Sequence, residues 1–109
     1  MIVKDLLGKK IVVLCRNKEI TKFLNICYDE KIVFADGTKA TSKSEIRNKE
    51  KVYLHLQQKS IQWGNVTDKK TEDLIQRGFT IIDFSELLDH IPEEFRYSFE
   101  YVRNQYYKK

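Results

Sequence analysis

Residues 51–65 read K-V-Y-L-H-L-Q-Q-K-S-I-Q-W-G-N. Val52, Leu54 and Leu56 alternate with Tyr53, His55 and Gln57, and Ile61 and Trp63 alternate with Ser60 and Gln62. That period of two marks a pair of half-buried strands. Gln58-Lys59 joins them as a two-residue hairpin or as a slightly longer loop, since neither residue favours the turn geometry as Asn-Gly would. A strand pair in the middle of the chain makes an antiparallel sheet the framework to which the flanking segments are fitted.

Upstream, Lys10 to Cys15 is a β-branched apolar run too short for a helix, and Asn17 offers a side-chain oxygen to cap a helix with Ile20, Phe23, Leu24 and Cys27 on one stripe. Ile32 to Ala35 is a second apolar run, broken by Asp36-Gly37, a dipeptide suited to a tight turn, with Thr38 to Thr41 as the return strand. Residues 39–51, K-A-T-S-K-S-E-I-R-N-K-E-K, show no apolar periodicity beyond Ile46 and have the composition of a solvated loop.

Downstream, Thr67 or Asp68 starts a short helix that ends at Gly78. Phe79 to Phe84 carries apolar residues on both sides, the pattern of a central, covered strand. Ser85 caps a further turn, and Pro92-Glu93-Glu94 opens a final helix, because proline and carboxylates suit a helix start. Phe95, Phe99, Val102 and Tyr106 would form one stripe of that helix and Tyr97, Tyr101 and Lys108 another, although Phe95 to Tyr101 also alternate with strand period. The prediction is an α+β fold. One small domain, residues 1–109, would hold a mainly antiparallel sheet of four to five strands, two helices and a C-terminal helical extension over 89–109.

A chain of 109 residues and 13.0 kDa, 41% hydrophobic and 33% charged, has the make-up of an ordinary folded protein of one domain, and no apolar run is long enough to span a membrane. The first ten residues lack the apolar stretch and cleavage site of a secretion signal, so a cytoplasmic protein is expected. Cys15 and Cys27 lie on apolar runs and read as small buried hydrophobes rather than a disulfide or a catalytic thiol.

The net charge of +4 is unevenly spread: Thr38 to Lys70 holds eight basic and three acidic residues, whereas Thr71 to Leu88 holds one and four. Lys39, Lys43, Arg47, Lys49 and Lys51 are therefore candidates for contacting phosphates or an acidic protein surface, with Tyr53 and Trp63 on an outer sheet face stacking bases. Solvated surface lysine is the competing reading of the same cluster. In the last fifteen positions stand six of the thirteen aromatic residues. Tyr97, Tyr101, Arg103 and Tyr107 have the residue types that interface centres favour, which makes them candidates for binding a partner. Packing of the tail on its own sheet, or on a second copy as a homodimer, competes with that use.

Catalytic and cofactor motifs are absent: there is no Gly-x-Gly-x-x-Gly, phosphate loop, His-Glu-x-x-His or Cys-x-x-Cys. Asp36 with Lys59, or Asp83 with Glu86 and His90, could serve a metal-dependent nuclease, but acidic residues beside turns are more often caps. The expectation is no enzyme, no cofactor and no metal.

The strand-then-helix start, Phe34-Ala35-Asp36-Gly37, Ile61-Gln62-Trp63-Gly64 and Gly78-Phe79-Thr80-Ile81-Ile82-Asp83-Phe84 together resemble small proteins encoded by phages and prophages of low-GC Gram-positive bacteria, mostly of unknown function. The resemblance covers roughly residues 10–88, with Phe34 where that group often has tryptophan, and leaves out the tail and the lysine-rich segment. It implies a non-catalytic accessory protein acting in the host cytoplasm. Such a protein would bind and inhibit a bacterial protein or ribonucleoprotein complex, for example a CRISPR nuclease. Nucleic-acid binding through residues 39–51 is the alternative, and a small-ligand sponge with an intersubunit pocket is a second one.

Overall fold

The computed structural model describes residues 3–90, with side chains through 87. Its framework is a four-stranded sheet in the order β3-β2-β1-β4, built from β1 (Ile11–Arg16), β2 (Lys51–Leu56), β3 (Ile61–Asn65) and β4 (Thr80–Asp83). The β1–β2 and β2–β3 pairs are antiparallel and β1–β4 is parallel. Helix α1 (Lys18–Asp29) follows β1, a single helical turn α2 (Ser44–Arg47) precedes β2, and α3 (Asp68–Gln76) carries the chain from β3 to β4. The fold is α+β, as the sequence predicts.

The sheet is covered on both faces, which explains why β1 is apolar without alternation. Ile11, Val13 and Cys15 enter a large core with Val52, Leu54 and Leu56 of β2 and Ile20, Phe23, Leu24 and Cys27 of α1. Phe84 closes that core edge-on against Phe23, with ring centroids 5.8 Å apart. On the other face Val12, Tyr53 and Leu74 of α3 make a smaller core, flanked by Leu14, Phe79 and Ile81. Both cysteines are buried free thiols in the large core, and burial, reinforced by nearby carboxylates, pushes each thiol well above its ordinary pKa.

The 51–65 hairpin forms as read: Leu54 pairs with Trp63, and Gln57 N–H donates to Ser60 C=O at 2.9 Å across Gln58-Lys59. Helix α3 starts at Thr67, whose hydroxyl accepts from Lys70 N–H at 3.0 Å. It ends as expected near Gly78, which takes φ +84°.

Five local expectations are corrected. Thr38 to Thr41 is not a strand. Gly37, at φ +88°, closes the turn so tightly that Thr38 C=O already accepts from Phe34 N–H, leaving one bridge, Val33 to Lys39, before a 3-10 turn at Ala40–Ser42. Residues 39–51 are not a solvated loop, because Ala40 and Ile46 are fully buried and pin the 3-10 turn and α2 to the core. Asn17 adopts φ 51° and makes no side-chain cap; Glu19 instead accepts from Arg16 N–H at 2.9 Å. Asp83, not Ser85, caps the turn after β4, taking both the Ser85 N–H and its hydroxyl. Finally, β4 ends the sheet among the described residues rather than lying in its centre. Ile82 faces the large core and Ile81 the smaller one, so an end strand shows the two-sided apolar pattern.

The far edge of the sheet is met by a second piece of the α1–β2 connection. Ala35 N–H donates to Ile61 C=O and Ile61 N–H donates to Val33 C=O, each at 3.0 Å. Among the described residues no helix is long and apolar enough to cross a membrane.

Candidate nucleic-acid interface

The basic cluster of residues 39–51 is largely committed to the fold. Lys43 pairs with Asp36 and lies 5.3 Å from the Phe34 ring centroid. That pairing, followed by the Thr38 hydrogen bonds, pulls the Asp36 carboxyl far below its ordinary pKa. The Arg47 guanidinium donates to Thr41 C=O, and Lys49 lies over the Trp63 ring at 5.3 Å. Lys39 and Lys51 are exposed. Lys39 borders a hollow of about 410 Å³ with Tyr28, Ile32 and Val33.

The expected stacking platform does not form. Tyr53 is only 3% exposed, lying beneath α3 with its hydroxyl against Thr71 Oγ1. Trp63 is half-buried and packs against the large core on the opposite face. The alternation left both residues free to face outward; α3 closes one face and α1 with residues 40–47 the other. Tyr97, Tyr101, Arg103 and Tyr107 lie outside the described residues.

A different set of residues converges on the α3 face. A concavity of about 540 Å³ is lined by Lys10, His55, Gln62, Lys70, Arg77 and Phe79, and Trp63 borders it. Register places His55 of β2 opposite Gln62 of β3, so both present their side chains to the face that α3 covers. Lys70 of α3 and Arg77, the residue that caps its C-terminus, stand seven residues apart on the same side as Leu74, which is buried against Val12 and Tyr53. Lys10 arrives from the segment before β1, in a left-handed backbone conformation at φ 56°, with its C=O accepting from Thr80 N–H at 2.9 Å.

Gly64 borders both His55 and Lys70. A Cβ there would lie 3.6 Å from His55 Nε2 and 3.8 Å from Lys70 Cε, so anything larger than a methyl group would crowd both side chains. The His55 and Phe79 rings meet edge-to-face at 6.2 Å, and the Arg77 guanidinium lies 5.5 Å from the Phe79 centroid.

The electrostatics are one-sided. No Asp or Glu lines the concavity among the described residues, and Asp73 holds Arg77 at 3.4 Å on the exposed helix surface. Burial, then the positive charges of Lys70 and Arg77, hold the His55 imidazole below its ordinary pKa. At neutral pH it therefore offers one donor and one acceptor rather than a further charge. The suggested nuclease sets are used otherwise. Asp36 is paired with Lys43. Asp83 is paired with Arg16, and although burial opposes its ionisation, the Arg16 and Ser85 hydrogen bonds outweigh that and keep its carboxyl below the usual range. Among the described residues no three His, Cys, Asp or Glu side chains are placed to hold a metal ion.

Sequence reasoning missed Lys10, His55, Gln62, Lys70 and Arg77 as a group. Two signals pointed to them: a glycine in the middle of a strand, which often marks close approach, and two cations at helical spacing beside Leu74. No protein-family model matches the chain, and no curated protein or solved structure matches it either.

Proposed function

We propose that the protein is a non-catalytic nucleic-acid-binding protein that holds phosphates in the concavity between α3 and the β2–β3 hairpin. The observation that carries this reading is the convergence of Lys10, Lys70 and Arg77 on one hollow with no carboxylate in its lining. Like charges gathered from separate segments repel one another unless an anion sits among them. The surrounding side chains suit the rest of a nucleotide: Gln62 and neutral His55 can exchange hydrogen bonds, and Phe79 supplies an aromatic surface. The groups flanking the cations are thus polar and neutral, as phosphate binding with base or sugar contact requires.

The test is the salt dependence of oligonucleotide binding. Each phosphate contact contributes about −0.7 to the slope of log K against log salt for a single strand. The double variant Lys70→Gln/Arg77→Gln should flatten that slope by roughly 1.4 and weaken binding. Lys39→Gln/Lys51→Gln, which removes equal charge elsewhere, should change it far less. Equal losses from the two pairs would show that net charge, not the concavity, drives binding.

A further inference from the structure

We propose that the nucleic acid taken by this concavity is single-stranded, with one unpaired base seated against Gln62, His55 and Phe79 while the adjoining phosphates lie on Lys10, Lys70 and Arg77. This rests on the nucleic-acid reading above and narrows it to one class of ligand.

The shape of the concavity favours a single strand. The three cations border a hollow of about 540 Å³ rather than standing on a ridge. A duplex offers a convex phosphate backbone with its bases stacked inside, so it could touch the rim while the floor stayed unused. A single strand can turn a base inward, and only an unpaired base exposes the Watson–Crick edge, with donors and acceptors that the Gln62 amide and the imidazole of His55 could meet.

The charge around the concavity favours a single strand as well. The exposed residues of α3 include Asp68, Glu72 and Asp73. A duplex laid broadly across this face would bring phosphates against those carboxylates, and a like-charge approach is unfavourable. A single strand can follow the basic hollow without crossing the acidic residues. Helix α3, nine residues long and mixed in charge, also lacks the basic face of a helix that reads the major groove.

The floor of the concavity suits an unpaired base. Phe79 is half-buried, held by His55 at its edge and by Arg77 above its ring. A guanidinium backed by a fixed aromatic ring presents a flat cationic surface on which bases of any identity stack.

The experiment uses the full chain and fluorescence anisotropy with two labelled DNA probes of about 12 nucleotides, one unstructured and one a self-complementary hairpin whose arms are joined by a non-nucleotide linker, so that every base is paired. Each is titrated at roughly 50 and 200 mM salt. The unstructured strand should bind about tenfold more tightly than the hairpin. Gln62→Ala, at an exposed position that leaves the core untouched, should reduce strand affinity several-fold without changing the salt slope. Lys70→Gln/Arg77→Gln should flatten the slope. Equal affinity for strand and hairpin, with loss in the lysine–arginine variant, would overturn the single-strand inference and leave nucleic-acid binding standing. A strand preference untouched by Gln62→Ala would overturn the seating of a base there. Binding to neither probe at low salt would overturn both this inference and the function on which it rests.

Discussion

Beneath helix α3 the hydroxyl of Tyr53 meets Thr71 Oγ1, and the Thr71 hydroxyl in turn donates to Thr67 C=O at 2.9 Å. Thr71 is committed as a donor to its own helix, so Tyr53 is the donor of the pair and fastens the sheet to α3. Tyr53→Phe removes that bond but leaves Thr71 satisfied, and the expected loss is about 1 kcal/mol in urea unfolding. Tyr53→Ala also empties the smaller core and should cost about 3–5 kcal/mol. Equal stability of the wild type and Tyr53→Phe would show that the hydrogen bond contributes nothing net.

A second buried polar contact holds the start of the chain. Glu30, 7% exposed at the end of α1, accepts from the Val3 N–H at 3.1 Å and the Lys4 N–H at 2.9 Å. Glu30→Ala strands both amides and should cost about 2 kcal/mol. Glu30→Gln keeps one acceptor and should cost less. Hydrogen exchange at the Val3 and Lys4 amides should accelerate in the alanine variant while β1 stays protected.

Lys10 is held at positive φ, where a side chain other than glycine's is strained by roughly 1–2 kcal/mol. Such strain gathers at functional positions. Lys10→Gly should therefore stabilise the fold by up to about 1 kcal/mol, part of the relieved strain being offset by the greater freedom of glycine in the unfolded chain. The same variant should bind oligonucleotide more weakly. A variant that is more stable and binds as well as wild type would remove Lys10 from the proposed site.

His55 gives the fold a pH dependence of definite sign. Its folded pKa lies below the ordinary 6.5, because burial and then Lys70 and Arg77 disfavour the charged form. The unfolded chain takes up the proton first as pH falls, so stability is undiminished well above 6.5 and declines as pH drops through that value. His55→Gln should flatten the melting temperature over this window. Saturating oligonucleotide should oppose the decline in wild type, since phosphates favour the imidazolium.

The legible parts of this molecule were those governed by local periodicity. The alternation of 51–65 specified a hairpin, though not its register, and Thr67 and Gly78 bounded α3 through their capping chemistry. Residues 39–51 were misread because only Ala40 and Ile46 anchor them, and two burial points too far apart for any period look like none. Tyr53 was misread for a different reason. Alternation tells which residues share a face but not whether a helix will cover it, and α3 joins β2 only through tertiary packing. The concavity was hidden for the same cause: Lys10, His55 and Arg77 come from three separate parts of the chain and meet only once the β3–α3–β4 crossover is made.

Strand β1 lies between β2 and β4, yet both of its partners come later in the chain. During synthesis Ile11–Arg16 leaves the ribosome first and must wait, with its N–H and C=O groups unmatched, while residues 17–50 are made and folded against it. The β2–β3 hairpin can close within microseconds of its own appearance, but the parallel seam cannot form before residue 83 exists. The molecule is thus assembled around a strand that is earliest to be made and last to be fully paired. In the interval its Ile-Val-Val-Leu run is an unpaired apolar edge of the kind that invites aggregation.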